Sequence, residues 1–219
     1  PDDPTKVTST FENTELLVSN NGQDYAQTSL HFRFGIQAML TNIIPRSGPS
    51  NGGTLVIVHG FDFLNAPSLT CRFGKNHVPA RWISRTMAQC VSPIGLKGDV
   101  RFTMSNNAQR FSQLHDVIFS YYDPLEILKF DPIAFPAEGN RAVRIFGSRF
   151  EGAEFLACRF NDTISVRATL ISDKELICAI PHLWSNSNHN IIPVSITKNG
   201  YDFTSTSNYP ASAVSYHKS

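Results

Sequence analysis

L-T-C-R-F-G at residues 69–74 and A-Q-C-V-S-P at 88–93 return as L-A-C-R-F-N at 156–161 and L-I-C-A-I-P at 176–181. Cys71 recurs as Cys158 after 87 residues, and Cys90 recurs as Cys178 after 88. A period of this size is too long for a solenoid unit and suits a small independent β-domain. The chain therefore reads as an array of modules.

Working outward from that repeat, nearly every segment is a short strand bounded by turn residues. T-L-V-I-V-H (54–59), S-L-T-C-R-F (68–73), V-P-A-R-W-I (78–83), D-V-R-F-T-M (99–104) and D-V-I-F-S-Y-Y (116–122) alternate or run apolar. S-G-P-S-N-G-G, F-G-K-N and I-G-L-K-G lie between them and carry turn chemistry. The second copy gives A-V-R-I-F (142–146), F-L-A-C-R-F (155–160), A-T-L-I-S (168–172), E-L-I-C-A-I (175–180), I-I-P-V-S-I (191–196) and A-V-S-Y (213–216). No window holds a helical stripe. The expectation is all-β, one antiparallel sandwich per module.

A partial third copy precedes these two. S-N-N-G-Q-D-Y-A (19–26) matches S-N-N-A-Q-R-F-S (105–112) and T-K-N-G-Y-D-F-T (197–204). Each reads as an N-G-like hairpin turn followed by an aromatic that returns to the sheet. H-F-R-F (31–34) then takes the place of the closing strand. Residues 1–35 are expected to be the trailing strands of a preceding module, residues 36–123 a first complete module and 124–219 a second. The junctions G-I-Q-A-M-L (35–40) and Y-D-P-L-E (122–126) are short, and the second contains Pro124, so a semi-rigid rod is expected.

The 219 residues carry a net charge of +1 and hold no apolar run near the roughly 18 residues that span a bilayer. Residues 36–124 carry eight Lys or Arg against four Asp or Glu, far from the concentrated basic face of a nucleic-acid binder. Neither a nucleic-acid partner nor membrane insertion within this segment is expected. Four cysteines in matched pairs, with no C-x-x-C, do not form a zinc pattern. One disulfide per module, Cys71 with Cys90 and Cys158 with Cys178, is the simpler reading and implies an oxidising compartment. Four buried free thiols in a cytosolic protein are the alternative.

At this point the residues resemble a known family. I-I-P-R-S-G-P-S-N-G-G-T-L-V-I-V-H-G-F-D-F (43–63), with the cysteine segments after it, is similar to the IPT/TIG domain, an immunoglobulin-like fold shared by plexins and transcription factors. The turn pattern P-x-x-G-P-x-x-G-G-T spans Pro45–Thr54. The second module keeps C-R-F and C-x-I-P but departs at that turn, where A-E-G-N retains only Gly139. The resemblance implies two-sheet sandwiches used for binding, dimerisation and spacing, with no catalysis and no cofactor.

Motifs for catalysis are missing from the sequence. The glycine-rich turn lacks the G-K-[ST] of a phosphate loop; its G-P-S-N-G (48–52) has the letters of G-x-S-x-G but is a turn before a strand, not a strand-to-helix nucleophile elbow, and no H-E-x-x-H occurs. His182 and His189 share a polar loop with no carboxylate or cysteine ligand nearby, so no metal is expected. Asn161-Asp162-Thr163 is an N-x-[ST] sequon in a turn, a candidate glycosylation site. Arg141, Arg144, Arg149, Arg159 and Arg167 are interleaved with acids and read as a solvated sheet face with cross-strand ion pairs. Trp184, amid S-N-S-N-H-N, is a candidate interface residue or folds back over the core.

The function expected is a non-enzymatic extracellular segment of tandem modules in a cell-surface or secreted protein: adhesion, receptor ectodomain, or filament and coat building. Its partners are other proteins or further modules of the array, with homo-assembly into filaments included. Two alternatives belong to other classes: a DNA-associated dimerisation module of a transcription factor, and an accessory module of a secreted carbohydrate-active enzyme.

Overall fold

Alternation of apolar and polar residues decides where the strands fall, because successive side chains of a strand point to opposite faces. In β5 (Leu55–Phe61), Val56 and Val58 point inward and are fully buried, while Leu55 and Phe61 face solvent. The computed structural model describes residues 12–27, 31–34, 36–112, 116–136, 142–181, 191–204 and 213–217; for 12–13, 31–34, 134–136, 191 and 213–217 it describes the backbone path. Among the described residues every regular element is a strand.

Residues 39–122 form a sandwich of two sheets. One orders β3 (Met39–Ile44), β5, β9 (Met87–Val91) and β8 (Arg81–Ser84). The other orders β4 (Ser47–Pro49), β11 (Val117–Tyr122), β10 (Gly98–Ser105), β6 (Thr70–Phe73) and β7 (Asn76–Pro79). The expected single strand 78–83 is broken at Ala80, because Pro79 has no N–H to give to a ladder. The core between the sheets holds Val56, Val58, Phe63, Phe73, Phe102, Met104 and Phe119. The Phe73 ring stands edge-on to Phe102 at 4.8 Å and to Phe119 at 5.1 Å, the geometry favoured by the ring quadrupoles.

Residues 126–217 repeat the plan with β12 (Glu126–Asp131), β13 (Ala134–Pro136), β14 (Ala142–Ser148), β15 (Ala157–Phe160), β16 (Ile164–Ser172), β17 (Glu175–Ala179), β18 (Ile191–Thr197) and β19 (Ala213–His217). Here the crossing strand β16 is continuous and pairs with β15 at one end and β17 at the other. The strand order becomes β12-β14-β17-β16-β15-β18-β19-β13. The pairing is not purely antiparallel: β4 runs parallel to β11, and β13 parallel to β19. The short segment after the first strand crosses to the opposite sheet in both modules and lies along its last strand.

A third hairpin precedes them. β1 (Glu12–Glu15) pairs with β2 (His31–Phe34), Glu12 opposite Phe34. The same register places Gly98 opposite Tyr121, and Ile191 opposite Ser215. His31-Phe32-Arg33-Phe34 thus occupies the positions of Ile118-Phe119-Ser120-Tyr121 in β11. One contrast matters. Met104 and Ile196, just before the turns of the complete modules, are fully buried, whereas the corresponding Val18 is 60% exposed.

Candidate functional site

The turn after β18 is built by its own side chains. The Asn199 Oδ1 accepts from the backbone N–H groups of Tyr201 and Asp202 at 3.0 and 2.9 Å, and the Thr197 hydroxyl oxygen accepts from Gly200 N–H at 2.9 Å. Gly200 sits at φ 82°, a left-handed conformation that costs glycine little. Asparagine and threonine favour such loops because a short polar side chain can replace a backbone partner.

This turn is seated on the first module. The Asn199 amide Nδ2 donates to the Ser47 carbonyl at 2.7 Å, and the Thr54 hydroxyl donates to the Asp202 carboxylate at 2.7 Å. Asn199 Nδ2 also holds Asp202 Oδ2 at 2.8 Å, so the two docking side chains orient one another. Thr54 is completely buried, and its backbone N–H is held by the Ser92 hydroxyl at 3.1 Å. Gly48 has to be glycine, since a Cβ there would strike the Thr54 hydroxyl and the Phe119 ring.

Two further contacts close the joint. Lys198 is buried, with its ammonium donating to the carbonyls of Arg149 at 2.9 Å and Glu151 at 2.6 Å and standing 5.1 Å from the Tyr122 ring centroid. Burial lowers its pKa, opposed by the nearby Asp173 carboxylate. Burial, and then the Asp202 carboxylate, push the Tyr122 hydroxyl well above the ordinary tyrosine range. Across the linker, the Arg149 guanidinium donates to the Pro124 carbonyl and to Glu126, both at 3.1 Å. Beside these contacts lies an open cleft of about 700 Å³, with Arg46 on one wall and Glu154, Phe155 and Tyr201 on the other.

The residues singled out by sequence fall in separate places. Disulfides join Cys71 to Cys90 and Cys158 to Cys178, with Cα atoms 6.5 and 6.3 Å apart. Each ties β6 to β9, or β15 to β17, across the sandwich in the buried core. Asn161 is exposed in the turn after β15, 50° into positive φ, which asparagine tolerates. Arg144 pairs with Glu175 at 3.1 Å. Arg159 pairs with Asp162 at 3.3 Å and lies 3.7 Å over the Phe203 ring, while Arg167 faces the Phe155 ring. Trp184, Arg141, His182 and His189 lie outside the described residues. Among the described residues no three His, Cys, Asp or Glu side chains gather to hold a metal ion.

Sequence reasoning did not single out Ser47, Thr54, Asn199 or Asp202. The signal was present in the match between S-N-N-G-Q-D and T-K-N-G-Y-D, which share asparagine, glycine and aspartate at the same spacing.

A family model described as the IPT/TIG domain matches residues 38–121 and again 125–213. Among solved structures, the full extracellular region of Plexin A4 is similar over 87% of this chain, with a TM-score of 0.52 and 16% identity, while this chain covers 17% of that one. A mixed-linkage glucan utilization protein of Bacteroides ovatus, SGBP-B, solved with a mixed-linkage heptasaccharide, aligns over 78% of this chain and 43% of its own at 14% identity and a TM-score of 0.32. The fibronectin(III)-like modules of Clostridium thermocellum CbhA align over 82% of this chain and 93% of theirs at 12% identity and a TM-score of 0.34. A search of the curated proteins gives no match. At 16% identity the plexin similarity is one of fold. With one matched model on each sandwich, the chain belongs to the IPT/TIG domain family.

Proposed function

We propose that the chain is a non-enzymatic stretch of a cell-surface or secreted protein in which IPT/TIG modules act as oriented spacers and carry binding surfaces for other proteins. The observation that carries this reading is the joint. A linker of three residues between β11 and β12 is braced by two hydrogen bonds that cross from one module to the other. Modules that only needed to be strung together would not require a buried threonine hydroxyl aimed at a neighbour's carboxylate, since loose linkers leave inter-domain motion free.

In this reading residues 1–35 end a preceding module, residues 36–123 form the next and 124–219 the one after. The shared pairing register of the three hairpins and the exposed Val18 support that division. The disulfides support an oxidising compartment, and Asn161 is proposed to carry a glycan there.

The test is the intact mass of protein from its native source, alkylated first without and then after reduction. Two disulfides with glycan mass on Asn161 would uphold the extracellular assignment. Four thiols alkylated without reduction would overturn it and bring forward the DNA-associated alternative.

A further inference from the structure

The turn that docks the second module onto the first has a twin at residues 19–24. There Asn21 Oδ1 accepts from the N–H groups of Gln23 and Asp24, both at 2.9 Å, and the Ser19 hydroxyl oxygen accepts from Gly22 N–H at 2.9 Å. Asn21 Nδ2 holds the Asp24 carboxylate at 2.7 Å, where the docked copy has Asn199 and Asp202 at 2.8 Å. Gly22 has φ 72° against 82° for Gly200. Each of these four side-chain bonds has its counterpart in the docked turn.

Its surroundings are not. Asn199 is buried against the first module, whereas Asn21 and Asp24 both face solvent. The third copy of the turn, at 105–110, supplies the contrast. Asn107 Oδ1 again accepts from Gln109 and Arg110 at 3.1 and 2.9 Å, so the loop is kept. Arg110 stands where Asp24 and Asp202 stand, and it cannot accept a hydrogen bond from a threonine hydroxyl. The loop alone therefore does not call for the aspartate; the docked copy shows what that residue does.

We propose that Asn21 and Asp24 form a docking surface for the Gly-Pro-x-x-Gly-Gly-Thr corner of another IPT/TIG module on the N-terminal side of the hairpin. Asn21 Nδ2 donates to the corner carbonyl that corresponds to Ser47, and Asp24 accepts from the hydroxyl that corresponds to Thr54. The inference rests on the array reading above and deepens it. It makes two kinds of joint: braced ones wherever the turn carries aspartate, and a looser one where Arg110 replaces it.

The test moves the turn chemistry into the one joint whose partner is known, in the full chain. Thr197→Ser with Tyr201→Gln converts residues 197–202 to the 19–24 sequence except for Lys198, and Asp202→Arg imports the 105–110 chemistry. Residual dipolar couplings report whether both modules share one alignment tensor, and each module's own couplings verify that it is folded. The expected result is a shared tensor in the wild type and in Thr197→Ser/Tyr201→Gln, lost in Asp202→Arg. A shared tensor kept in Asp202→Arg, or lost in the double variant, would overturn the docking inference while leaving the array reading in place. Separate tensors in the wild type would overturn both. Sedimentation of the wild type supplies the remaining outcome: self-association abolished by Asp24→Arg would assign the surface to a second copy instead.

Discussion

In the first module the strand that crosses from one sheet to the other is broken after Pro79; in the second the matching stretch runs unbroken through Arg167 as β16. The pairings around it are otherwise alike, with Thr70 opposite Pro79 and Ala157 opposite Arg167. One imino acid therefore decides whether the module has two separate sheets or one continuous ribbon, because the ladder needs an N–H that proline lacks. A second substitution is as instructive. Asn106 of the first module donates its amide to the carbonyls of Ile36 and Asp62, and Lys198 at the same place donates to those of Arg149 and Glu151. The carbonyl that the two corners share, that of Asp62 or Arg149, needs a donor, and two unlike side chains supply it.

The hairpin at 12–34 extends the comparison, and the largest effects should appear at the positions of the complete modules that correspond to its exposed Val18. Met104→Ala and Ile196→Ala each delete a fully buried side chain and should cost about 2–5 kcal/mol. Val18→Ala should stay within about 0.5 kcal/mol. Denaturant titration followed by amide resonances of each region would measure all three. An equal loss at Val18 would mean the hairpin has a core of its own.

Next in size, the cysteine pairs close loops of 19 and 20 residues. Cys71→Ala/Cys90→Ala and Cys158→Ala/Cys178→Ala should therefore destabilise their modules equally, by about 3 kcal/mol in the chain-entropy model. Unequal losses in the same titration would show that the modules depend on their bridges differently.

The proline contrast can be transplanted. Arg167→Pro should split β16, speed amide exchange at its neighbours and cost about 1–2 kcal/mol, one ladder hydrogen bond and some strain. Unchanged exchange would make Pro79 a bystander to the break.

The first module also has a tyrosine that should make it alkali-sensitive. Burial raises the Tyr121 pKa from 10.0 to about 12, and its hydroxyl donates to the Pro93 carbonyl at 2.9 Å. The folded state thus keeps a proton that the unfolded chain releases, so stability present below pH 10 is lost as pH rises towards 12. Tyr121→Phe should cost about 1 kcal/mol at neutral pH and flatten that part of the alkaline slope. A slope unchanged by the substitution would place the sensitivity elsewhere.

The smallest expected effect is at Ala108, which holds φ 58° where the other two copies of the turn have glycine. Ala108→Gly should relieve about 1 kcal/mol of left-handed strain and lose part of that to the freer unfolded chain. A net gain of about half a kcal/mol, visible as a small rise in Tm, is expected. A loss would mean the Ala108 methyl makes a contact worth more than the strain.

Much of this was legible in one dimension. The repeat of C-R-F and C-x-x-P fixed the module length, the strand alternation fixed the fold class, and I-I-P-R-S-G-P-S-N-G-G-T pointed to the family, because each depends on local chemistry or on spacing along the chain. The parallel pairing of β4 with β11 was not legible, since which edge a three-residue strand finds depends on the whole sandwich. The joint was not legible either. Thr54 and Asp202 are 148 residues apart, and nothing in the G-G-T turn or the N-G-Y-D turn says that one is the other's partner. Sequence supplied a buried hydroxyl and a self-braced carboxylate; only the packing of two finished modules brought them within 2.7 Å, because a hydrogen bond between modules exists only once both surfaces have formed.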